Sequence, residues 1–309
     1  MNEFSIFSHM RLNEQSYVIT ESYGYNPQIP NSFMHLGLVI GQEKIAVIDS
    51  GTAGPSGLRD YIERIILEGK NTKPIICLLT HNHVDHISGC LMFDERYMHE
   101  ADINEADLWW NTHPERRLLD DDSDLCAFAN YDREVIDYCR EHYYKPIPTV
   151  ADFIPIHDGD EIDLGGVTLQ VTHLPGHSKG SVVYYDKKNH IAYCGDSLSM
   201  GAGGPEATCE LLKRCQERWA QDSMLIDGHG EAVRRMTRIN NMVKCCEEIL
   251  NGENLENDEV AEFHAPPFKF TKERVGLVQD RPAPDPTMVR MMHIYRDARM
   301  SYSKKIAAE

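Results

Sequence analysis

No stretch of the 309 residues approaches the roughly 18 consecutive apolar positions a membrane helix needs, so a spanning helix is not expected. The opening Met1-Asn2-Glu3-Phe4 has neither the basic start nor the apolar run of an export signal, and secretion is not expected either. Cys-x-x-Cys pairs, the spacing of structural zinc and dithiol redox centres, are missing. The nine cysteines are odd in number and scattered, with only Cys245 and Cys246 adjacent, which suits reduced, buried side chains in a cytoplasmic protein. Basic charge is scarce: 31 Lys and Arg stand against 49 Asp and Glu, a formal net charge of −18. Such a surface repels phosphate backbones and anionic lipid, so neither nucleic acid nor membrane is an expected partner. A small-molecule substrate is expected, and a homo-oligomer stays open. Internal repeats and low-complexity tracts are also absent.

What is present is an ordinary globular composition, 41% hydrophobic and 26% charged, in a chain long for one core and short for two. This points to a main domain over residues 1–250 and an extension over 251–309. Apolar runs at Met34–Ile40 and Ile45–Ile48, split by Gly41-Gln42-Glu43-Lys44, read as a hairpin. Leu58, Tyr61, Ile62, Ile65 and Ile66 recur at helical spacing over Pro55–Leu67, and Gly69 stands where that helix would stop. Pro74–Leu79 is apolar without alternation, a strand covered on both faces, and it runs directly into Thr80-His81.

Residues 101–150, with Trp109-Trp110 and the acidic run Asp120-Asp121-Asp122, read as a helical insertion. Short strands then resume at Asp152–Ile156, Glu161–Leu164, Val167–His173, Ser181–Tyr185 and Ile191–Cys194, forming a second sheet. Beyond Cys209 the pattern is helical, with a strand at Met224–Ile226 and a helix from about Ala232 to Leu250. Asp285-Pro286 is placed to start a final helix as N-cap and first-turn residue.

The run His81-Asn82-His83-Val84-Asp85-His86 brings three imidazoles and a carboxylate out of one short loop just past a strand end. Imidazole suits first-row metals such as zinc, and an added carboxylate leaves the mixed, open coordination of a catalytic site. This run resembles the signature of the metallo-β-lactamase superfamily. The likeness extends to Leu174-Pro175-Gly176-His177-Ser178-Lys179-Gly180-Ser181, to Tyr193-Cys194-Gly195-Asp196-Ser197, to Asp227-Gly228-His229-Gly230, and to the strand-end aspartate in Val47-Ile48-Asp49-Ser50-Gly51.

The resemblance implies an α/β fold, an αββα sandwich of two mixed β-sheets flanked by helices, here with a helical insertion and C-terminal helices. It also implies that His81, His83 and His177 bind one metal, that Asp85, His86 and His229 bind a second, and that Asp196 bridges them. Asp85 and Asp196 are then the catalytic carboxylates, and Asp49 supports the ligands from behind. Two divalent metal ions are expected, zinc first, with iron or manganese as alternatives. Each metal keeps a place for a shared water, whose hydroxide would attack a thioester, ester or lactone carbonyl. His173 reads as structural, and His35, His99, His113, His142, His157, His190, His264 and His293 receive no role.

Departures from the family pattern bear on substrate. The long stretch between His86 and His177 places residues 101–150 where a lid could form, with Trp109, Trp110, Tyr138, Tyr143 and Tyr144 lining a pocket or simply packing helices onto a sheet. The segment after Asp196 is similar to that of glyoxalase II thioesterases, and Ser199 stands where acyl-homoserine lactonases usually carry tyrosine. Gly228-His229-Gly230-Glu231 nonetheless lacks the Glu-Tyr that usually follows the last ligand in glyoxalase II. The competing readings are an iron-dependent oxygenase or oxidoreductase on the same fold, and a metal-bearing regulatory protein with incidental hydrolysis.

Overall fold

Three successive apolar runs, Phe33–Ile40 (β3), Ile45–Ile48 (β4) and Ile75–Leu78 (β5), form the middle of the first sheet. The computed structural model that shows this describes residues 7–22, 33–51, 55–104, 148–198, 204–260, 288–295 and 298–305. Along these strands the period of two sends alternate side chains into two different cores. Leu36, Leu38, Ile45, Val47, Ile75 and Cys77 face one; Val39, Ala46, Ile48, Ile76 and Leu78 face the other. Burial on both faces explains why β4 and β5 read as unbroken apolar runs.

Phe7–Arg11 (β1), Ser16–Ser22 (β2), Arg96–His99 (β6) and Ile154–Ile156 (β7) complete a seven-stranded sheet in chain order. It is antiparallel from β1 to β4 and parallel from β4 to β7. One core lies under the helix Pro55–Tyr61 (α1), whose last turn widens into a π-helix over Ile62–Ile66, with Leu58, Tyr61 and Ile62 buried on the sheet. Leu67 N–H reaches back to the Ile62 carbonyl at 2.9 Å, and Gly69 follows at φ +67°.

The other core is shared with a second sheet of Glu161–Asp163 (β8), Thr168–His173 (β9), Val182–Asp186 (β10), Ile191–Gly195 (β11), Met224–Asp227 (β12) and Val233–Arg235 (β13). Its order is β13-β12-β11-β10-β9-β8, and only β11 and β12 run parallel. Leu169, Val171, Val182, Tyr184, Ile191, Tyr193 and Ile226 meet the first sheet there. The two sheets approach closely at Gly37, where a Cβ would fall 2.4 Å from the Tyr193 ring. The α/β class and the pair of mixed sheets expected from the sequence are those observed.

The chain divides into two compact units, residues 1–200 with 217–236, and residues 201–216 with 237–309. The second holds most of the helix Gly204–Arg218 (labelled α3) and nearly all of Met236–Asn251 (labelled α4), and a small sheet of Glu259–Val260 (β14), Met288–Tyr295 (β15) and Ala298–Lys305 (β16).

Two expectations are corrected. The helix expected from Ala232 starts four residues later, because Val233–Arg235 pairs with β12 as an antiparallel edge strand. The final helix expected after Asp285-Pro286 is instead the strand pair β15 and β16, in register from Met288↔Lys305 to Tyr295↔Ala298. Two runs only two residues apart favour local antiparallel pairing, and Val289, Ile294, Tyr295 and Tyr302 are residue types that favour extended backbone. A sequence signal for a helix start cannot outweigh eight paired residues on each side. The helical insertion expected over 101–150 falls mostly on 105–147, outside the described residues, as do the five aromatic residues proposed for a lid.

Candidate metal centre

Strand ends from both sheets converge on one place. From the first sheet, β4 ends at Asp49 and Ser50, and β5 runs through Thr80 into the histidine loop, with Asp85 and His86 on the four-residue helix Val84–Ile87 (labelled α2). From the second, the loop after β9 carries His177, β11 ends just before Asp196, and β12 is followed by His229. All seven residues predicted as ligands are brought together. Three overlapping groups, His81/His83/His177, His81/His86/Asp196 and Asp85/His86/His229, each offer donor atoms within 4.8 Å of one another, so the site has residues able to hold metal.

The distances show how tightly the groups interlock. His177 Nε2 and His83 Nδ1 stand 2.8 Å apart, and His229 Nε2 is 2.9 Å from Asp85 Oδ2. Asp196 lies between them: Oδ2 is 3.3 Å from His177 Nε2 and 3.6 Å from His229 Nε2, and Oδ1 is 3.5 Å from His86 Nε2. Gly228 makes room for this carboxylate, since a Cβ there would fall 2.4 Å from Asp196 Oδ1.

Asp49 orients the rings from behind. Its Oδ2 accepts the His86 Nδ1–H at 2.7 Å and the Thr80 hydroxyl at 2.8 Å, while Oδ1 accepts the Thr80 N–H at 2.7 Å. With its proton committed to Asp49, the Thr80 hydroxyl can only accept from His81 Nδ1, 3.0 Å away. Both His81 and His86 therefore present Nε2 to the centre. Asp49 itself sits at φ +62°, a left-handed conformation that Asp tolerates better than most residues, which aims its carboxylate at both partners.

His81 Nε2, His86 Nε2 and Asp196 Oδ1 are buried polar atoms with no hydrogen-bond partner among the described residues. Orphaned atoms of this kind, two of them imidazole nitrogens facing a carboxylate, are what a cation would satisfy. The electrostatics agree. Burial works against charge at every group, yet His86 first and then His229 hold Asp196 down at about 2. Burial likewise opposes a charge on His229, but its hydrogen bond to Asp85 and the nearby Asp196 lift it to about 9. Asp49, Asp85 and Asp196 overcome burial to raise His86 well above the usual imidazole range. His177, by contrast, is pulled down to about 4, chiefly by burial. The carboxylates thus favour positive charge on His86 and His229, while burial keeps His81 and His177 neutral.

The sequence profile of the metallo-beta-lactamase superfamily matches residues 35–233, the stretch that contains every one of these residues. The chain belongs to the metallo-beta-lactamase superfamily. It is 29% identical over 209 residues to acyl-coenzyme A thioesterase MBLAC2 of Gallus gallus, covering 65% of this chain and 69% of that protein. To the Homo sapiens protein of the same name it is 27% identical over 209 residues, covering 65% and 70%. Among solved structures, a metallo-beta-lactamase family protein from Thermus thermophilus matches with a TM-score of 0.53 at 20% identity, over 78% of this chain and 82% of that one. This likeness shows the fold. As a member of the superfamily the chain is a hydrolase of the metallo-β-lactamase fold.

Several residues of this metallo-β-lactamase centre were missed by sequence reading. Thr80 relays Asp49 to His81, and its place between a strand and the first histidine was the available signal. Ser50 donates its hydroxyl to the His86 carbonyl at 2.8 Å and accepts the Gly89 N–H at 3.0 Å, fixing the C-terminal end of α2. Asp102 and His35, given no role from sequence, contact the ligand loops through hydrogen bonds that no local spacing announces. The His173 ring stacks on His99 at 4.0 Å.

Proposed function

We propose that this chain is a metal-dependent acyl thioesterase that holds two divalent ions, zinc before iron or manganese, and acts on a small-molecule thioester. The observation that carries the two-ion reading is the arrangement of two ligand groups, His81/His83/His177 and Asp85/His86/His229, on either side of Asp196. The thioester class is supported by the named activity of the MBLAC2 relatives, with esters and lactones as the neighbouring chemistries.

Bound ions would supply acidified water near neutral pH and Lewis acidity toward the scissile carbonyl. The chain's own contribution is preorganisation. Asp49 and Thr80 fix the tautomers and angles of His81 and His86, and the short hydrogen bond from His229 holds Asp85 in place. Asp196 faces both groups and would be shared between the two ions when they are bound. The buried cysteines among the described residues form no disulfide, which supports a reducing cytoplasm.

The test is metal analysis of protein purified without added metal, followed by assay on acyl-coenzyme A, lactone, phosphodiester and β-lactam substrates. The expected result is about two zinc ions per chain, as dinuclear hydrolysis needs, with thioester cleavage fastest. One iron per chain with oxygen consumption would replace this reading with the oxygenase one. His81→Ala and Asp196→Ala are each expected to lose metal and nearly all turnover, and full occupancy with normal turnover in either would refute the ligand set.

A further inference from the structure

Asp102 ends a single 3-10 turn, Glu100–Asp102, that follows β6, and it is 2% exposed. Its oxygens are taken up by donors from two loops. Oδ1 accepts the Gly180 N–H at 2.7 Å, and Oδ2 accepts the Ser178 hydroxyl at 2.6 Å and the Asn82 N–H at 3.2 Å. The Asp102 carbonyl accepts from the Asn82 side-chain amide at 3.3 Å. Asn82 lies between His81 and His83, and Ser178 directly follows His177. The first loop leaves the first sheet after β5, and the second lies between β9 and β10 of the other.

One carboxylate thus ties together the two loops that carry His81, His83 and His177, and touches neither Asp85, His86 nor His229. None of its four donors is a cation, so burial leaves this carboxyl above its ordinary range even though Ser178, Gly180 and Asn82 pull it back. Gly180 is shaped to the contact, because a Cβ there would fall 2.6 Å from Asp102 Cγ. A fully hydrogen-bonded carboxylate at a sheet junction could serve the fold alone. Here every bond it makes ends within one residue of a ligand, except the one to Gly180, which closes the same loop.

We propose that Asp102 is the positioning residue of the first metal group: it sets the distance between the His81/His83 loop and the His177 loop so that these three imidazoles close on one ion. This rests on the reading of those histidines as ligands. Asn at this position keeps the shape but has one acceptor oxygen instead of two, and its NH₂ must then face either the Gly180 N–H or the Ser178 and Asn82 donors. The loops should separate on one side of the centre only.

The experiment is zinc titration against a chelator, and visible absorption after cobalt substitution, on the full-length wild type, Asp102→Asn, Ser178→Ala and the double variant, with thermal melts of each. In Asp102→Asn one of the two sites should lose affinity on the order of 10 to 100-fold while the other binds as in the wild type. Only part of the cobalt spectrum should change. Ser178→Ala should weaken the same site less, and the double variant should be no worse than Asp102→Asn, because both changes break one shared contact. If Asp102→Asn does not fold, the site-selective loss in Ser178→Ala carries the test. Equal weakening of both sites, or no change in either, overturns the positioning role alone, whereas a wild type that binds neither zinc nor cobalt overturns the ligand reading beneath it.

Discussion

His35 grips Gly230: its Nε2–H donates to the Gly230 carbonyl at 3.0 Å, while its backbone N–H donates to the Gly228 carbonyl at 2.8 Å. Both contacts flank His229, so β3 brackets that loop from either side. Burial holds the His35 imidazole below its ordinary range. In the neutral ring, Nδ1 is left to accept the Thr20 hydroxyl at 3.0 Å.

Replacing His35 with leucine removes the side-chain clasp and leaves the backbone one. Zinc affinity of the group containing His229 should then fall on the order of 10-fold, the lower end of outer-contact losses. His35→Gln, which retains an N–H donor, should recover part of it. Chelator competition on the three proteins measures this, and leucine binding as tightly as histidine would show that the His229 loop holds itself.

Asp49 and Thr80 make a paired prediction. Asp49→Ala frees both His81 and His86, so both sites should weaken, on the order of 10 to 100-fold each. Thr80→Val removes only the relay to His81 and should affect chiefly the site that His81 serves. Stepwise zinc titration separates the two patterns. Identical behaviour of the variants would mean the hydroxyl relay is not what orients His81.

Gly228→Ala tests how closely the centre is packed. The added Cβ would press on Asp196 Oδ1 and on His86 Cε1, the latter at 3.1 Å. Metal content and turnover should drop sharply while circular dichroism stays that of the wild type. An alanine variant with full metal content would show that the loop can shift away from Asp196 at little cost.

A pH effect on stability is expected from His99, which is not among the candidate ligands. Burial, and then His173 and His157, hold His99 below its ordinary value of 6.5 against the pull of Glu100 and Asp158. The folded protein therefore takes up this proton less readily than the unfolded chain does. Its contribution is fully present above 6.5 and is lost as pH falls below that value. His99→Asn keeps an acceptor for the Ala101 N–H, which His99 Nδ1 now receives at 3.2 Å. Its melting temperature should therefore fall less than that of the wild type between about pH 7 and about pH 5. Parallel curves would mean that His99 does not titrate in that interval.

The candidate ligands could be picked out together because their chemistry is written locally. His81 to His86 sit within six residues, and His177, Asp196 and His229 each follow a strand whose apolar run could be read. Asp102 and His35 were not legible. A carboxylate and an imidazole of ordinary neighbourhood acquire their roles only when β6 is laid beside β5 and β3 beside the loop after β12. The same limit explains the C-terminal error. Asp285-Pro286 is a fair helix start in isolation, but the hairpin pairing between β15 and β16 lies downstream of it and is a gain that the start signal does not contain. The edge strand β13 was hidden for a similar reason, its three residues merging with the helical pattern of α4.

The candidate ligands come from the ends of strands in both sheets, so an ion held by them would act as a rivet through the seam of the sandwich as well as a reagent. Binding that exists only in the folded state adds RT ln(1 + [ion]/Kd) to stability, about 2.7 kcal/mol when free ion exceeds Kd a hundredfold. A cell short of metal would then do more than idle this enzyme. It would hold a larger fraction of the chain in states that proteases can reach, and the amount of protein, not only its rate, would follow the metal supply.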